Sequence, residues 1–175
     1  MSKLPFEELY NSLGPKIDQD IISFRALYQM IENLNPTKIL ELGFRNGGTS
    51  RMWQNLVPEG GLVLSVDFSP GSVEDRVLFL DSPEVRLLVG DSHSPEIIAE
   101  AASFGPYDAI FIDGDHSYEG VKADYENYSP MVRQGGVISF HDQGHGPILR
   151  FWNELDAPDK RILKASLDIG VFYKA

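Results

Sequence analysis

Apolar positions along the chain follow two periods in turn. Ile21, Phe24, Leu27, Tyr28, Ile31 and Leu34 recur at helical spacing until Pro36 ends the segment, which predicts a leading helix. Beyond it, short apolar runs alternate with helical patterns. Lys38–Leu42, Leu62–Val66, Val85–Val89, Ala109–Ile112 and Val137–Phe140 read as five buried strands. Val121, Tyr125, Tyr128 and Val132 mark an amphipathic helix before the fifth strand, with Gly135-Gly136 as the turn into it. A helix is expected around Leu149–Leu155, and Arg161–Ala165 with Gly170–Tyr173 predict a terminal antiparallel hairpin. Such alternation implies an α/β fold whose parallel sheet is covered on both faces. The first 17 residues are less periodic, although Phe6, Tyr10 and Leu13 could form an amphipathic turn that packs on the body or covers a site.

Length and composition narrow this picture. The 175 residues, 42% of them hydrophobic, suffice for one core but not two, so an N-terminal segment (1–17) followed by a single domain (18–175) is expected. Cysteine is absent, which excludes disulfides and thiolate chemistry and leaves any metal to oxygen and imidazole ligands. No apolar run has membrane-spanning length, and the N-terminus lacks a basic stretch followed by an apolar one, so a cytoplasmic protein without a membrane partner is expected. With 26 acidic against 15 basic residues the net charge is -11, which disfavours nucleic acid and favours a small-molecule partner.

In open α/β sheets ligands sit outside the carboxyl ends of the strands, and the loops there are chemically rich. The first strand runs into Glu41-Leu-Gly43-Phe-Arg-Asn46-Gly47-Gly48-Thr49-Ser50, whose glycines permit a tight turn and whose Ser and Thr could cap the next helix. Its glycine spacing is not that of the dinucleotide fingerprint. The second strand ends at Asp67, suited to a bidentate grip on ribose hydroxyls, beside Phe68, which either stacks on an adenine or packs. The third ends in Gly90-Asp91-Ser92, which could bond an adenine edge or form an Asx turn. The fourth gives Asp113-Gly-Asp115-His116-Ser-Tyr118-Glu119-Gly120, and the fifth His141-Asp142. All four histidines, His93, His116, His141 and His145, fall at or just beyond strand ends on this edge. Asp113 and Asp142 would stand close enough to share a divalent cation with His141 as third ligand; otherwise Asp113 caps a helix and His141 bonds a backbone group.

The segments Glu41–Ser50, Asp67, Asp91, Phe111–Glu119 and Gly135–Asp142 resemble class I S-adenosylmethionine-dependent methyltransferases. Asp113–Gly120 and Gly135–Asp142 look most like a small bacterial group related to antibiotic-sugar O-methyltransferases and cephalosporin hydroxylase. The resemblance implies a Rossmann-like methyltransferase fold, a seven-stranded sheet in the order 3-2-1-4-5-7-6 with its last strand antiparallel. It implies that the loop from Gly43 through Asn46, Gly47, Gly48 and Thr49 holds the methionine part of the cofactor and that Glu41 supports its amino end. Asp67 would take the ribose, Asp91 with Ser92 the adenine, and Phe68 and Asp113 would also touch the cofactor. Mg2+ or another divalent metal would be held by Asp113, His141 and Asp142, His141 being a departure because imidazole is a poorer ligand for magnesium. His116, or Asp115 in its place, would be the general base that deprotonates the hydroxyl of a small acceptor.

Three other readings stay open on the sequence. The histidine-rich strand ends could make a two-histidine, one-carboxylate iron site of an oxygenase. A nicotinamide-dependent reductase is disfavoured by the glycine spacing, and a non-catalytic cofactor-binding module is compatible with the fold; a homo-oligomer, in which a neighbouring subunit closes the site in place of the first 17 residues, is a further expectation. Phe6, Tyr10, Tyr118, Phe151 and Trp152 are candidates for substrate-pocket walls or, equally, for core positions.

Overall fold

The computed structural model describes residues 3–69, 82–166 and 168–175; the first two residues of the N-terminal segment lie outside these. In chain order the elements are α1 (Phe6–Leu13), a 3-10 turn (Gly14–Lys16), α2 (Ile21–Glu32), β1 (Lys38–Leu42), α3 (Gly48–Gln54), β2 (Leu62–Asp67), β3 (Val85–Val89), α4 (Pro95–Phe104), β4 (Tyr107–Ile112), α5 (Tyr118–Tyr128), a 3-10 turn (Ser129–Met131), β5 (Val132–Phe140), α6 (Gly146–Glu154), β6 (Arg161–Leu163) and β7 (Ile169–Tyr173). The seven strands form one sheet in the order β3-β2-β1-β4-β5-β7-β6. β1 to β5 are parallel, and β7 runs antiparallel to both β5 and β6. The expected strand order and the terminal hairpin are both present.

Strand side chains alternate between two cores, as the pleat requires. Ile39, Val63, Ala109, Phe111 and Val137 face one way, onto α1, α2 and α3 through Leu9, Phe24, Leu27, Ile31 and Trp53. Leu40, Leu42, Leu64, Ile110, Ile138 and Phe140 face the other, onto α4, α5 and α6 through Ala101, Val121, Tyr128, Phe151 and Trp152. Asp20 caps α2 by accepting from the amides of Ile22 and Ser23, and Ser117 caps α5 by accepting from Gly120.

Two expectations fail locally. The helix expected to run to Val132 stops at Tyr128, and Val132 opens β5 instead, pairing with Tyr107. Gly135-Gly136 therefore lies inside a nine-residue strand rather than before it. The C-terminal tail makes this conformation tolerable: Gly135 N donates to Lys174 O and Lys174 N to Gly136 O, so the pair is zipped into the sheet at a register irregularity. The second failure is at α3, whose cap is Gly47 in the left-handed region with no side-chain cap, while Ser50 turns inward. Of the described residues, no helix is long and apolar enough to cross a membrane.

Candidate active site

β1 lies between β2 and β4, so the chain reverses its direction of sheet growth there and the loops after β1 and β4 part. A cavity of about 650 Å3 opens at this point, along the carboxyl ends of the first five strands. Gly43 makes its floor possible. A Cβ at this position, where φ is +99°, would fall 2.2 Å from the Asp113 carbonyl oxygen, so only glycine lets the loop after β1 lie on the end of β4.

Asp67 ties that loop down. Its Oδ2 accepts from the amides of Phe44 (2.7 Å) and Arg45 (2.8 Å), and its Oδ1 from Ser69 (2.7 Å). A carboxylate has about four acceptor positions, so one remains on Oδ1 while the loop stays bonded. Asp91 accepts from the His93 amide, completing an Asx turn. Ser92 donates to Asp124 Oδ1 (2.8 Å), and its carbonyl accepts from the Tyr128 hydroxyl (2.7 Å), so α5 fixes the loop after β3. Asp124 is wholly buried, and burial pushes its carboxyl upward.

At the ends of β4 and β5 four ionisable groups converge. Asp113 Oδ1 stands 2.9 Å from His141 Nδ1 and 3.2 Å from His116 Nε2, and Asp113 Oδ2 accepts from Gln19 at 3.0 Å. The far nitrogen of His116, Nδ1, lies 3.4 Å from Asp142 Oδ2. Burial alone would raise the Asp113 carboxyl, but the two imidazoles outweigh it and hold the group below its ordinary value. The Asp113 hydrogen bond in turn raises His116, against the opposing effect of its own burial. Asp142 has φ +55°, a left-handed conformation that swings its carboxylate back toward the histidines. The Asp113, His116 and His141 ligand atoms all lie within 4.8 Å of one another.

Of the expected site residues, Gly43, Asn46, Gly48, Thr49, Asp67, Phe68, Asp91, Ser92, Asp113, Asp115, His116, His141 and Asp142 line this one cavity. Glu41 and Gly47 do not. Glu41 is 0% exposed beneath the floor, where Oε2 accepts from Ser65 (2.8 Å) and from Ser50. Burial pushes its carboxyl up to about 8, against the lowering effect of the two serine hydroxyls. Asp115 spends Oδ1 on the Ser117 amide (2.8 Å), and that bond lowers its pKa, which leaves it a poor base. His145 lies outside, against a smaller recess with Asp142 and Asp168, its ring 6.0 Å from that of His116.

None of the nominated aromatic walls reaches the cavity. Phe151 and Trp152 are core, Phe6 and Tyr10 pack on the core, and Tyr118 pairs with Glu154 at the surface. The wall comes instead from Lys16, Asp18 and Gln19, with Asp18 bridging to Arg45 across the loop. Gln19 reaches Asp113 across 94 positions, and no local pattern marks it. Asp124 did carry a signal: a carboxylate three residues after Val121 and four before Tyr128 sits on the apolar stripe of its helix.

Residues 40–143 match the family model described as a methyltransferase domain. Over 113 residues the chain is 30% identical to demethylmacrocin O-methyltransferase of Streptomyces fradiae, a match that covers 60% of this chain and 27% of that enzyme. Among solved structures, the O-methyltransferase of Bacillus cereus in complex with SAH has a TM-score of 0.74 at 17% identity, covering 96% of this chain and 88% of that one. The mycinamycin-pathway methyltransferase MycE with Mg and SAH has a TM-score of 0.73 at 20% identity, covering 99% and 55%. The chain thus spans about a quarter of the length of the curated relative and about half that of MycE. With the family model spanning Leu40 to Gln143, from β1 through the end of β5, this chain belongs to the methyltransferase-domain family.

Proposed function

We propose that the protein transfers a methyl group from S-adenosylmethionine to a hydroxyl oxygen of a small molecule. The observation that carries the reading is the charge of the cavity. Six carboxylates, of Asp18, Asp67, Asp91, Asp113, Asp115 and Asp142, line it against the cations of Lys16 and Arg45. Such a wall attracts a sulfonium and repels the pyrophosphate of a nicotinamide dinucleotide. The volume suits a ligand of this size, and the relatives in complex with SAH agree.

Bound at this site, S-adenosylmethionine supplies an electrophilic methyl on a positively charged sulfur. The protein's own part is to hold and orient. Asp67 Oδ1 offers one acceptor to the ribose, the Asp91-Ser92 turn presents the adenine side, and the Gly43–Thr49 loop runs beside the methionine portion. The acceptor hydroxyl enters beside Asp113, where its proton passes to the His116–Asp142 pair as the O–C bond forms and the S–C bond breaks. A divalent cation bound at this end would be held by Asp113, His141 and Asp142, with His116 beside them, and would polarise the acceptor hydroxyl; no step is assigned to it.

Calorimetric titration with S-adenosylmethionine, repeated on Asp67→Ala, tests the reading, followed by a screen of hydroxylated acceptors with labelled methyl donor. Binding that weakens at least about tenfold in the variant is expected; absence of binding to the wild type would refute the proposal. A second reading, an oxygenase, is favoured only by the two-histidine, one-carboxylate group, and oxygen uptake with retained iron would distinguish it.

A further inference from the structure

We propose that the segment Lys16–Gln19 recognises the amino-acid end of the cofactor, with Gln19 Oε1 accepting a hydrogen bond from the α-ammonium. The inference rests on the methyltransferase reading and adds to it residues that lie outside the matched segment 40–143.

The amino end lacks the partner that the family resemblance assigned to it. Glu41, expected to support it, is wholly buried beneath the floor and bonded to Ser50 and Ser65. Gln19 offers what Glu41 does not. Its side chain lines the cavity although the residue is only 5% exposed. Nε2 donates to Asp113 Oδ2 at 3.0 Å, an orientation imposed by a carboxylate, which only accepts. Oε1 therefore points away from Asp113, buried and without a donor. An acceptor in that state is costly, and a ligand N–H that meets it removes the penalty on binding.

Charge around Gln19 selects a cation. Asp18 and Asp113 line the same wall, so an ammonium placed here gains an electrostatic assistance that a neutral hydroxyl does not. An amide oxygen accepts from it without setting a further negative charge beside Asp113.

Position points to the amino-acid end in particular. A Cβ on Gly48 would fall 2.3 Å from Lys16 O and 2.9 Å from Ile17 N, so the segment lies directly on the glycine loop assigned to the methionine portion. Asp18 bridges to Arg45 on the same loop, and Lys16 brings to this wall a positive charge suited to the α-carboxylate. The segment is fastened before any ligand arrives. The Tyr10 hydroxyl donates to Gln19 O, and the following residue, Asp20, caps α2 and accepts from Ser166. Such preorganisation spares the ligand the cost of ordering the wall.

The test is calorimetry of the full chain with S-adenosylhomocysteine and with its analogue in which hydrogen replaces the α-amino group. The wild type is expected to prefer the amine at least about tenfold. Gln19→Met, close in volume but without an acceptor, should weaken S-adenosylhomocysteine about 10- to 100-fold and leave the des-amino analogue within about twofold. A role for Gln19 confined to supporting Asp113 would weaken both ligands alike, so equal loss overturns the proposal, as does unchanged affinity for S-adenosylhomocysteine. A second measurement needs no variant. In wild-type protein with 13C-labelled glutamine, the Gln19 Cδ resonance should move with S-adenosylhomocysteine and stay in place with the analogue; an equal response to both overturns the assignment. Wild-type protein that binds neither ligand refutes the methyltransferase reading together with this one, whereas binding indifferent to the amine overturns this proposal alone.

Discussion

Replacing Glu41 by Gln should change how stability depends on pH. The carboxyl sits under the cavity floor with no exposure, hydrogen-bonded by Ser50 and Ser65, and burial raises it from 4.5 to about 8. A carboxyl raised in the folded state contributes stability that is fully present below the unfolded value. It is lost progressively as pH rises from about 4.5 to about 8, because over that window the unfolded chain gives up a proton that the folded chain keeps. A tenfold difference in proton affinity between the two states corresponds to about 1.4 kcal/mol, so between pH 5 and pH 8 the wild type should lose about 3 to 4 kcal/mol relative to Glu41→Gln. The variant's own offset, from an amide N–H placed where the carboxyl faces the buried Trp53 indole N–H, is independent of pH and cancels in the difference. Urea denaturation of both proteins at pH 5, 6, 7 and 8 measures it. A difference in unfolding free energy that stays flat across this range would refute the reasoning, since it would mean that Glu41 ionises as an ordinary carboxylate.

Gly43→Ala should cost about 3 kcal/mol or more, because a left-handed φ of +99° is compounded by a Cβ 2.2 Å from the Asp113 carbonyl; a loss below about 1 kcal/mol in chemical denaturation would show that the loop after β1 moves freely off β4. Asp124→Ala should destabilise by about 2 to 3 kcal/mol, since it empties a fully buried side-chain position and leaves the half-buried Ser92 hydroxyl without its acceptor. Asp124→Asn should stay within about 1 kcal/mol of the wild type, because the amide oxygen keeps that bond. Equal losses in the two variants would remove the hydrogen bond from the explanation.

The sequence by itself determined the architecture. Continuous apolar runs of four or five residues bounded by turn residues are too short for helices and read as strands buried on both faces, and with helical patterns between them they point to a parallel sheet. The chemistry of the strand ends was legible for the same reason: polar residues placed just past a buried strand have no core to join, so Asp67, Asp91, Asp113 and His141 had to lie along one edge. Tertiary structure alone decided which of those groups face one another and which residues come from elsewhere. Gln19 meets Asp113 only because α2 packs across the sheet, and Lys174 converts a Gly-Gly turn signal into strand by pairing with it. Glu41 falls inside the first strand in sequence and structure alike, and its side chain follows the pleat into the core on Ile39's face rather than up into the cavity. Local pattern records the period of the backbone; contacts between residues distant in the chain depend on how the layers pack, which no local period encodes.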